Sequence, residues 1–200
     1  MSFAATVPSR SSVRKDGVRV LLALLAVMWL SEIVDTALDH RLDGYGIEPR
    51  DADGLIGIPA APFLHSGFGH LISNTVPFLA MGFVIAFKGA MRVLLVTAIV
   101  ALVSGAGTWL VAPESSIHIG ASGVVFGYAT YLLSRGFFDR DVIEIAIGVA
   151  VGLIYGGVLL GGLIPEEGVS WQGHFFGAVG GLVAARALAP EPRATRATRG

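Results

Sequence analysis

The chain has 200 residues, of which 54% are hydrophobic and only 14% charged, and its mean hydropathy is +0.71. A soluble domain carries about 25% charged residues, so this composition argues against an ordinary soluble protein. The net charge of −1 gives no reason to expect nucleic acid as a partner, and the absence of cysteine excludes disulfides, iron–sulfur clusters and thiolate nucleophiles.

The apolar residues are concentrated in long runs, which is the pattern of membrane-spanning helices. The fourth run, of about 16 residues, is roughly 24 Å long at 1.5 Å per residue and thus shorter than the ~30 Å hydrocarbon core. We therefore expect it to begin below one membrane surface. The predicted fold is an all-α membrane protein with six transmembrane helices. The six runs cover residues 18–37, 68–87, 91–111, 120–135, 142–163 and 172–189.

The basic residues are unevenly distributed between the two sides that six spans define. Of the 14 Lys and Arg residues, only Arg41 and Arg50 fall on the side away from the termini. Basic loops favour the cytoplasm, so both termini are predicted to be cytoplasmic. The predicted organisation is a cytoplasmic N-terminal segment (1–17), a six-helix membrane domain (18–189) and a disordered cytoplasmic tail (190–200).

The connection between the first two spans, residues 38–67, is too long for a simple turn. It contains three prolines and several apolar residues. We expect it to lie partly in the membrane interface.

Polar side chains occur inside three of the spans, where they are costly and mark functional sites by default. They lie at the starts of the second, fourth and sixth spans, which all cross the membrane in the same direction. Topology therefore places them at one depth, in the outer part of the bilayer. The residues that share this layer are His70, Asn74, Ser122 and His174.

Ser122 and His174 have the chemistry of a nucleophile and its general base. Ser122 lies between Gly120 and Gly123, near a helix N-terminus whose free N–H groups favour an anion. His174 precedes Gly177 in a stripe of small residues, and a matching stripe begins at Gly123. Contact between the stripes would bring the serine and histidine side chains within hydrogen-bonding range. The pattern predicts acyl transfer, with His174 accepting the Ser122 proton.

Asn74 and His70 lie four residues apart and thus on one face of the second span. Together with backbone N–H groups near Ser122, they are predicted to hold the oxyanion of an acyl-transfer reaction. His65 is interpreted as structural and His118 as a loop residue.

These motifs resemble those of the rhomboid family of intramembrane serine proteases. They are an HxxxxHxxxN pattern ending at Asn74, a GxSG motif around Ser122, and His174 with its glycine stripe in the last span. The resemblance implies a rhomboid-like bundle with a Ser122–His174 dyad, no third acidic member, and oxyanion support from Asn74 and His70. It also implies cleavage of single-span or other transmembrane protein substrates near their extracytoplasmic end, within the lipid bilayer and without a cofactor.

Two positions depart from the family pattern. Many members carry a Trp-Arg pair in the first long loop, whereas this loop reads Glu-Pro-Arg-Asp around Arg50, which leaves its anchoring open. Many members also place a tyrosine four residues after the serine, where it stacks on the catalytic histidine. Here Phe126 occupies that position and can stack without hydrogen bonding. In this family, substrate entry is ascribed to movement of the fifth span. Here that span is rich in glycine.

Three other functions are alternatives to proteolysis. A rhomboid-like protein that binds membrane clients without cutting them is the main alternative, although such proteins typically lose the serine or the histidine. A metalloprotease would need a motif such as HExxH, which is absent, so no metal site is expected. A transporter would show an inverted repeat, and none is visible. The predicted location is the plasma (inner) membrane of a bacterium, as a multi-pass protein.

Overall fold

The structure is a computed structural model, and it describes residues 9–190. This part of the chain is all-helical and contains no β-strand, which confirms the predicted all-α class. The first eight residues lie outside the described part of the chain. So does the predicted disordered tail, residues 190–200, except for Pro190. The helices are α1 (Arg10–Ala37), α2 (Gly57–Ala60), α3 (Phe68–Ala86), α4 (Ala90–Val111), α5 (Ser122–Asp139), α6 (Val142–Gly161) and α7 (Trp171–Ala187).

Four of these helices, α1, α3, α4 and α6, are long and apolar enough to cross a membrane. The other two long helices, α5 and α7, pack against each other, with α4 against α7 and α6 against α5. More than half of the α5 residues are buried, among them Tyr128 and Tyr131 at 0% exposure. Because other helices cover most of α5, it needs less continuous apolar surface than a helix that faces lipid, whereas α7 is only 17 residues long.

Helix α1 begins at Arg10, eight residues before the predicted apolar run. The hydroxyl of Ser9 accepts a hydrogen bond from the backbone N–H of Ser12 at 3.2 Å and caps the helix. At the other end, the carboxylate of Asp35 accepts from the backbone N–H of Leu42 at 2.6 Å and lies 3.2 Å from His40. The helix is thus capped where it extends beyond the apolar run, and it ends at Ala37, where the run was predicted to end.

The long connection between α1 and α3 contains α2 and three 3₁₀ turns, and Arg50 fastens it to α4. The Arg50 guanidinium lies 2.9 Å from Glu114, and its backbone N–H donates to the carbonyl of Trp109 at 3.1 Å. The Trp109 indole N–H donates back to the carbonyl of Asp51 at 2.8 Å. Here the tryptophan that pairs with the loop arginine comes from α4. The 3₁₀ turns are Leu42–Tyr45, Asp53–Ile56 and Ala61–Phe63.

An ionic cluster fixes the first turn of α6 to α5. Glu144 lies 3.3 Å from Arg135 and 2.7 Å from Lys88, and Arg135 also binds Asp139 at 2.9 Å. Arg135 is 4% exposed, so these carboxylates compensate a charge that is almost fully buried. The opposite end of α6 differs, because Cβ atoms added at its last glycines, such as Gly157, would meet nothing within 4 Å.

Candidate active site

Ser122 and His174 form a hydrogen bond between the starts of two packed helices. Ser122 is the first residue of α5 and His174 lies in the first turn of α7. The Ser122 hydroxyl oxygen is 2.8 Å from Nε2 of His174, and Nδ1 of the same ring is 2.7 Å from the carbonyl oxygen of Gly162. A carbonyl can only accept, so Nδ1 carries the proton and Nε2 is free to accept from the serine hydroxyl. This is the tautomer that a general base requires.

The His174 ring is held on its face as well as at its edge. Phe126, one turn after the serine, stacks on the imidazole with ring centres 4.2 Å apart and planes 6° apart. Gly162 is the C-cap residue directly after α6, at the end of the helix where the carbonyls carry partial negative charge. That charge favours the imidazolium formed when His174 takes a proton.

Gly120 allows the backbone to turn into α5 directly before the serine. Its φ of +113° is strained for a residue with a side chain. A Cβ atom at this position would also lie 2.6 Å from the ring of His70. The glycine therefore lets His70 approach the N-terminus of α5, where unpaired N–H groups point outward.

Small residues carry the contact between α5 and α7 that brings the dyad together. Cβ atoms added at Gly177 and Gly181 would overlap the carbonyl oxygens of Gly123 and Gly127 respectively. The two predicted stripes thus lie against each other, with backbone touching backbone.

Asn74 and His70 line the same cavity as Ser122 and His174, with a volume of about 1040 Å³. Asn74 is 6% exposed, and its side-chain amide donates to the carbonyl of His70 at 3.0 Å. Nδ1 of His70 is 3.3 Å from the hydroxyl of Ser66. One amide hydrogen of Asn74 is free of this bond, so the side chain can donate toward the cavity.

His65 holds the backbone next to the serine. Its ring is 1% exposed, and Nε2 accepts a hydrogen bond from the backbone N–H of Ala121 at 3.3 Å. Burial, and then the nearby charge of His70, lower the pKa of His65 from 6.5 to about 4. The neutral ring is the form that can accept the bond from the Ala121 N–H.

Acid should destabilise the protein through His65. Between pH 6.5 and 4 the unfolded chain binds a proton at this residue and the folded chain does not, so stability falls as pH falls through that window. This difference in pKa between the unfolded and folded chain corresponds to a loss of about 3 kcal/mol in the free energy of unfolding. We expect His65→Gln, which keeps an acceptor but cannot titrate, to flatten the fall in Tm between pH 7.5 and 5. Its control is His40→Gln, at a half-exposed histidine; equal slopes in wild type and His65→Gln would contradict this account.

Sequence reasoning missed three contributors near the dyad. Gly162 acts through its carbonyl and Ser104 through a 2.8 Å bond to the carbonyl of Gly173, next to His174. The hydroxyl of Ser170 caps α7 and contacts His118. A backbone carbonyl leaves no residue-type signal, and serines are common both inside and at the starts of helices. A small cavity of about 30 Å³, large enough for water, is lined by Ser104, Ser170 and Ser122.

The fold and the site define an apolar helical membrane protein with a partly buried Ser–His pair at the starts of two packed helices. The sequence model of the rhomboid domain matches residues 53–191, which is more than half of the chain. The chain therefore belongs to the rhomboid family.

Relatives extend this similarity along the chain. An uncharacterized protein of Mycobacterium tuberculosis is 42% identical over 191 residues, covering 92% of this chain and 80% of the relative. An uncharacterized protein from Mycobacterium leprae is 43% identical over 188 residues, covering 90% of this chain and 74% of the relative. A Bacillus subtilis protein named "Putative rhomboid protease YdcA" is 29% identical over 171 residues, covering 83% of this chain and 85% of the relative.

Proposed function

We propose that this protein is an intramembrane serine endopeptidase that cuts transmembrane segments of other proteins. The observation that carries the proposal is the 2.8 Å contact between the Ser122 hydroxyl and His174, with the tautomer set by Gly162. A serine that only packed inside a helix would bond back to a carbonyl one turn earlier. Ser122, at the first position of α5, faces a base instead.

The reaction follows from these positions. His174 takes the hydroxyl proton as the Ser122 oxygen attacks the scissile carbonyl, and a tetrahedral intermediate forms. The imidazolium then gives its proton to the leaving amine, which leaves an acyl ester on Ser122. His174 next activates a water that hydrolyses this ester and restores the serine. No acidic residue takes part in this scheme, because the Gly162 carbonyl orients the ring.

The intermediate's negative oxygen would be stabilised at the N-terminus of α5. Backbone N–H groups there point outward, and Asn74 and His70 supply side-chain donors from α3. Gly120, Gly123 and Gly177 support the site by allowing this close approach of backbones.

Asn74→Ala should lower kcat by roughly 10²–10³-fold, the usual cost of losing one oxyanion donor. KM should change little, because the donor acts mainly on the charge that develops in the transition state. The measurement is steady-state cleavage of a model single-span substrate. Thr75→Ala, at the next residue on α3, is the control and should keep wild-type kcat. A rise in KM with unchanged kcat would show that Asn74 binds substrate and does not stabilise the oxyanion.

For topology, we propose that all six long helices cross the membrane, with both termini in the cytoplasm. The 12-to-2 division of the 14 basic residues supports this orientation. It puts the starts of α3, α5 and α7, and thus the cut, on the extracytoplasmic side. Because the relatives come from Mycobacterium and Bacillus, the proposed location is a bacterial plasma membrane. The membrane domain would be residues 18–189, flanked by cytoplasmic ends.

The ionic cluster at the first turn of α6 supports the proposal that substrate enters at the opposite end of this helix. Glu144, Arg135 and Lys88 hold the first turn, whereas the last turns, near Gly157, have open space beside them. Movement of those turns away from α5 would open the large cavity to lipid and admit a transmembrane segment.

A direct test uses the wild-type protein reconstituted in liposomes. It should cleave a single-span substrate and form a covalent fluorophosphonate adduct at Ser122, identified by mass spectrometry of the labelled peptide. The alternative is a client-binding protein without activity. Co-purification of clients with neither cleavage nor labelling at Ser122 would favour that alternative and overturn the proposal.

A further inference from the structure

A chain of hydrogen bonds runs alongside the dyad and is not used by the chemistry described above. Nε2 of His118 is 2.8 Å from the hydroxyl of Ser116, and Nδ1 is 2.7 Å from the hydroxyl of Ser170. Ser116 in turn donates to the carbonyl of Pro113 at 2.5 Å. Ser170 accepts from the backbone N–H of Gly173 at 3.4 Å.

The direction of each bond follows from the number of hydrogens available. Ser116 gives its only hydroxyl hydrogen to the Pro113 carbonyl, so it must accept from Nε2–H of His118. A neutral imidazole has one N–H, so Nδ1 must accept from the hydroxyl of Ser170. Burial lowers the pKa of His118, which favours the neutral ring that this pattern needs. We call these bonds, from Pro113 to Gly173, the His118 relay.

The contact between His118 and Ser170 joins the same two segments of the chain as the contact between Ser122 and His174. His118 lies four residues before Ser122, and Ser170 lies four residues before His174. The carbonyl of Ser170 also accepts from the backbone N–H of His174 at 3.1 Å. On the other side, His118 pairs with Ile47 through two backbone bonds of 2.9 and 3.0 Å, which ties the relay to the long loop.

We infer that His118 is a positioning residue: acting through Ser170, it holds the first turn of α7 where His174 meets Ser122. The inference rests on the proposed protease function. Ser104 supports the same turn from α4, through its bond to the Gly173 carbonyl. Without the relay, that turn keeps one of its two side-chain anchors, and small displacements at a reacting centre cost up to ~10²-fold in rate.

Two substitutions at His118 separate its two bonds. The side-chain oxygen of Asn reaches the place of Nδ1 and can accept from Ser170, whereas Gln reaches toward the place of Nε2 and Ser116. We expect His118→Ala and His118→Gln to lower kcat roughly ten- to a hundredfold with KM changed less than about threefold, and His118→Asn to restore most of the rate. His118→Ala combined with Ser170→Ala should cost no more than Ser170→Ala alone, because Ser170→Ala already removes the bond to His118.

The experiment measures cleavage, the rate of fluorophosphonate labelling at Ser122, and Tm for each variant. The control is His40→Ala, which removes an imidazole bonded to Asp35 in the long loop and should leave kcat unchanged. Equal loss in the Asn and Gln variants, or a loss that only follows the drop in Tm, would overturn the positioning role.

A readout independent of activity separates this inference from the proposed function. Nitrogen-15 NMR of labelled histidines in the wild type should show His118 neutral and protonated at Nε2. A wild type that neither cleaves nor labels would overturn the protease proposal. The opposite His118 tautomer would overturn the relay even if the enzyme is active.

Discussion

Replacing Ser122 or His174 by alanine should abolish proteolysis, with kcat reduced roughly 10⁴-fold or more. Ser122→Ala removes the atom that forms the acyl ester. His174→Ala removes the acceptor 2.8 Å from that atom and leaves a hydroxyl of ordinary reactivity. Because the two side chains act as one unit, the double variant should be no slower than the worse single variant. The measurement is cleavage of a single-span substrate in liposomes at matched protein concentration.

Matched controls show whether the loss of cleavage comes from removing a reacting group or from misfolding. Ser134→Ala removes a serine from the other end of α5, where its hydroxyl bonds the carbonyl of Thr130, and should keep wild-type kcat. Ser122→Ala should keep the wild-type Tm and still bind substrate, since only one oxygen atom is lost. Normal cleavage by Ser122→Ala would refute the dyad. Loss of cleavage together with a large drop in Tm would point to misfolding instead.

The helix positions were predictable because the membrane imposes length and hydrophobicity on each segment. Helix α3, for example, covers Phe68–Ala86 against a predicted 68–87. The errors occur where charged residues continue a helix. Helix α5 runs to Asp139, beyond the predicted end at Arg135, because Asp139 and Glu144 neutralise the Arg135 guanidinium inside the bundle.

The proximity of Ser122 and His174 was predictable from topology, because helices of equal direction place their first turns at one depth. The orientation of the histidine was not. It depends on the carbonyl of Gly162, and any residue type provides a carbonyl. The contact of His118 with Ser170 was equally hidden, since 52 residues separate them and neither belongs to a motif. The sequence predicted a serine and a histidine as the reacting groups, and the structure shows which contacts hold these two side chains.

Gly177→Ala should impair both folding and catalysis, although alanine usually favours a helix by about 1 kcal/mol over glycine. The added methyl group would overlap the carbonyl oxygen of Gly123. Backbone atoms cannot rotate away, so α5 and α7 must separate, and the separation displaces His174 from Ser122. We expect a destabilisation of about 1–3 kcal/mol and a fall in labelling rate at Ser122 on the order of 10²-fold.

Two further glycines show whether distance from the dyad matters. Gly181→Ala would meet the carbonyl of Gly127 about one turn farther along α7 than Gly177, so we expect a similar drop in Tm with a smaller loss of labelling. Gly157→Ala, on α6, would meet nothing within 4 Å and should keep the Tm at or above that of the wild type. Tm and fluorophosphonate labelling are measured on all three variants. If Gly177→Ala behaves like Gly157→Ala, backbone contact between α5 and α7 does not set the position of His174.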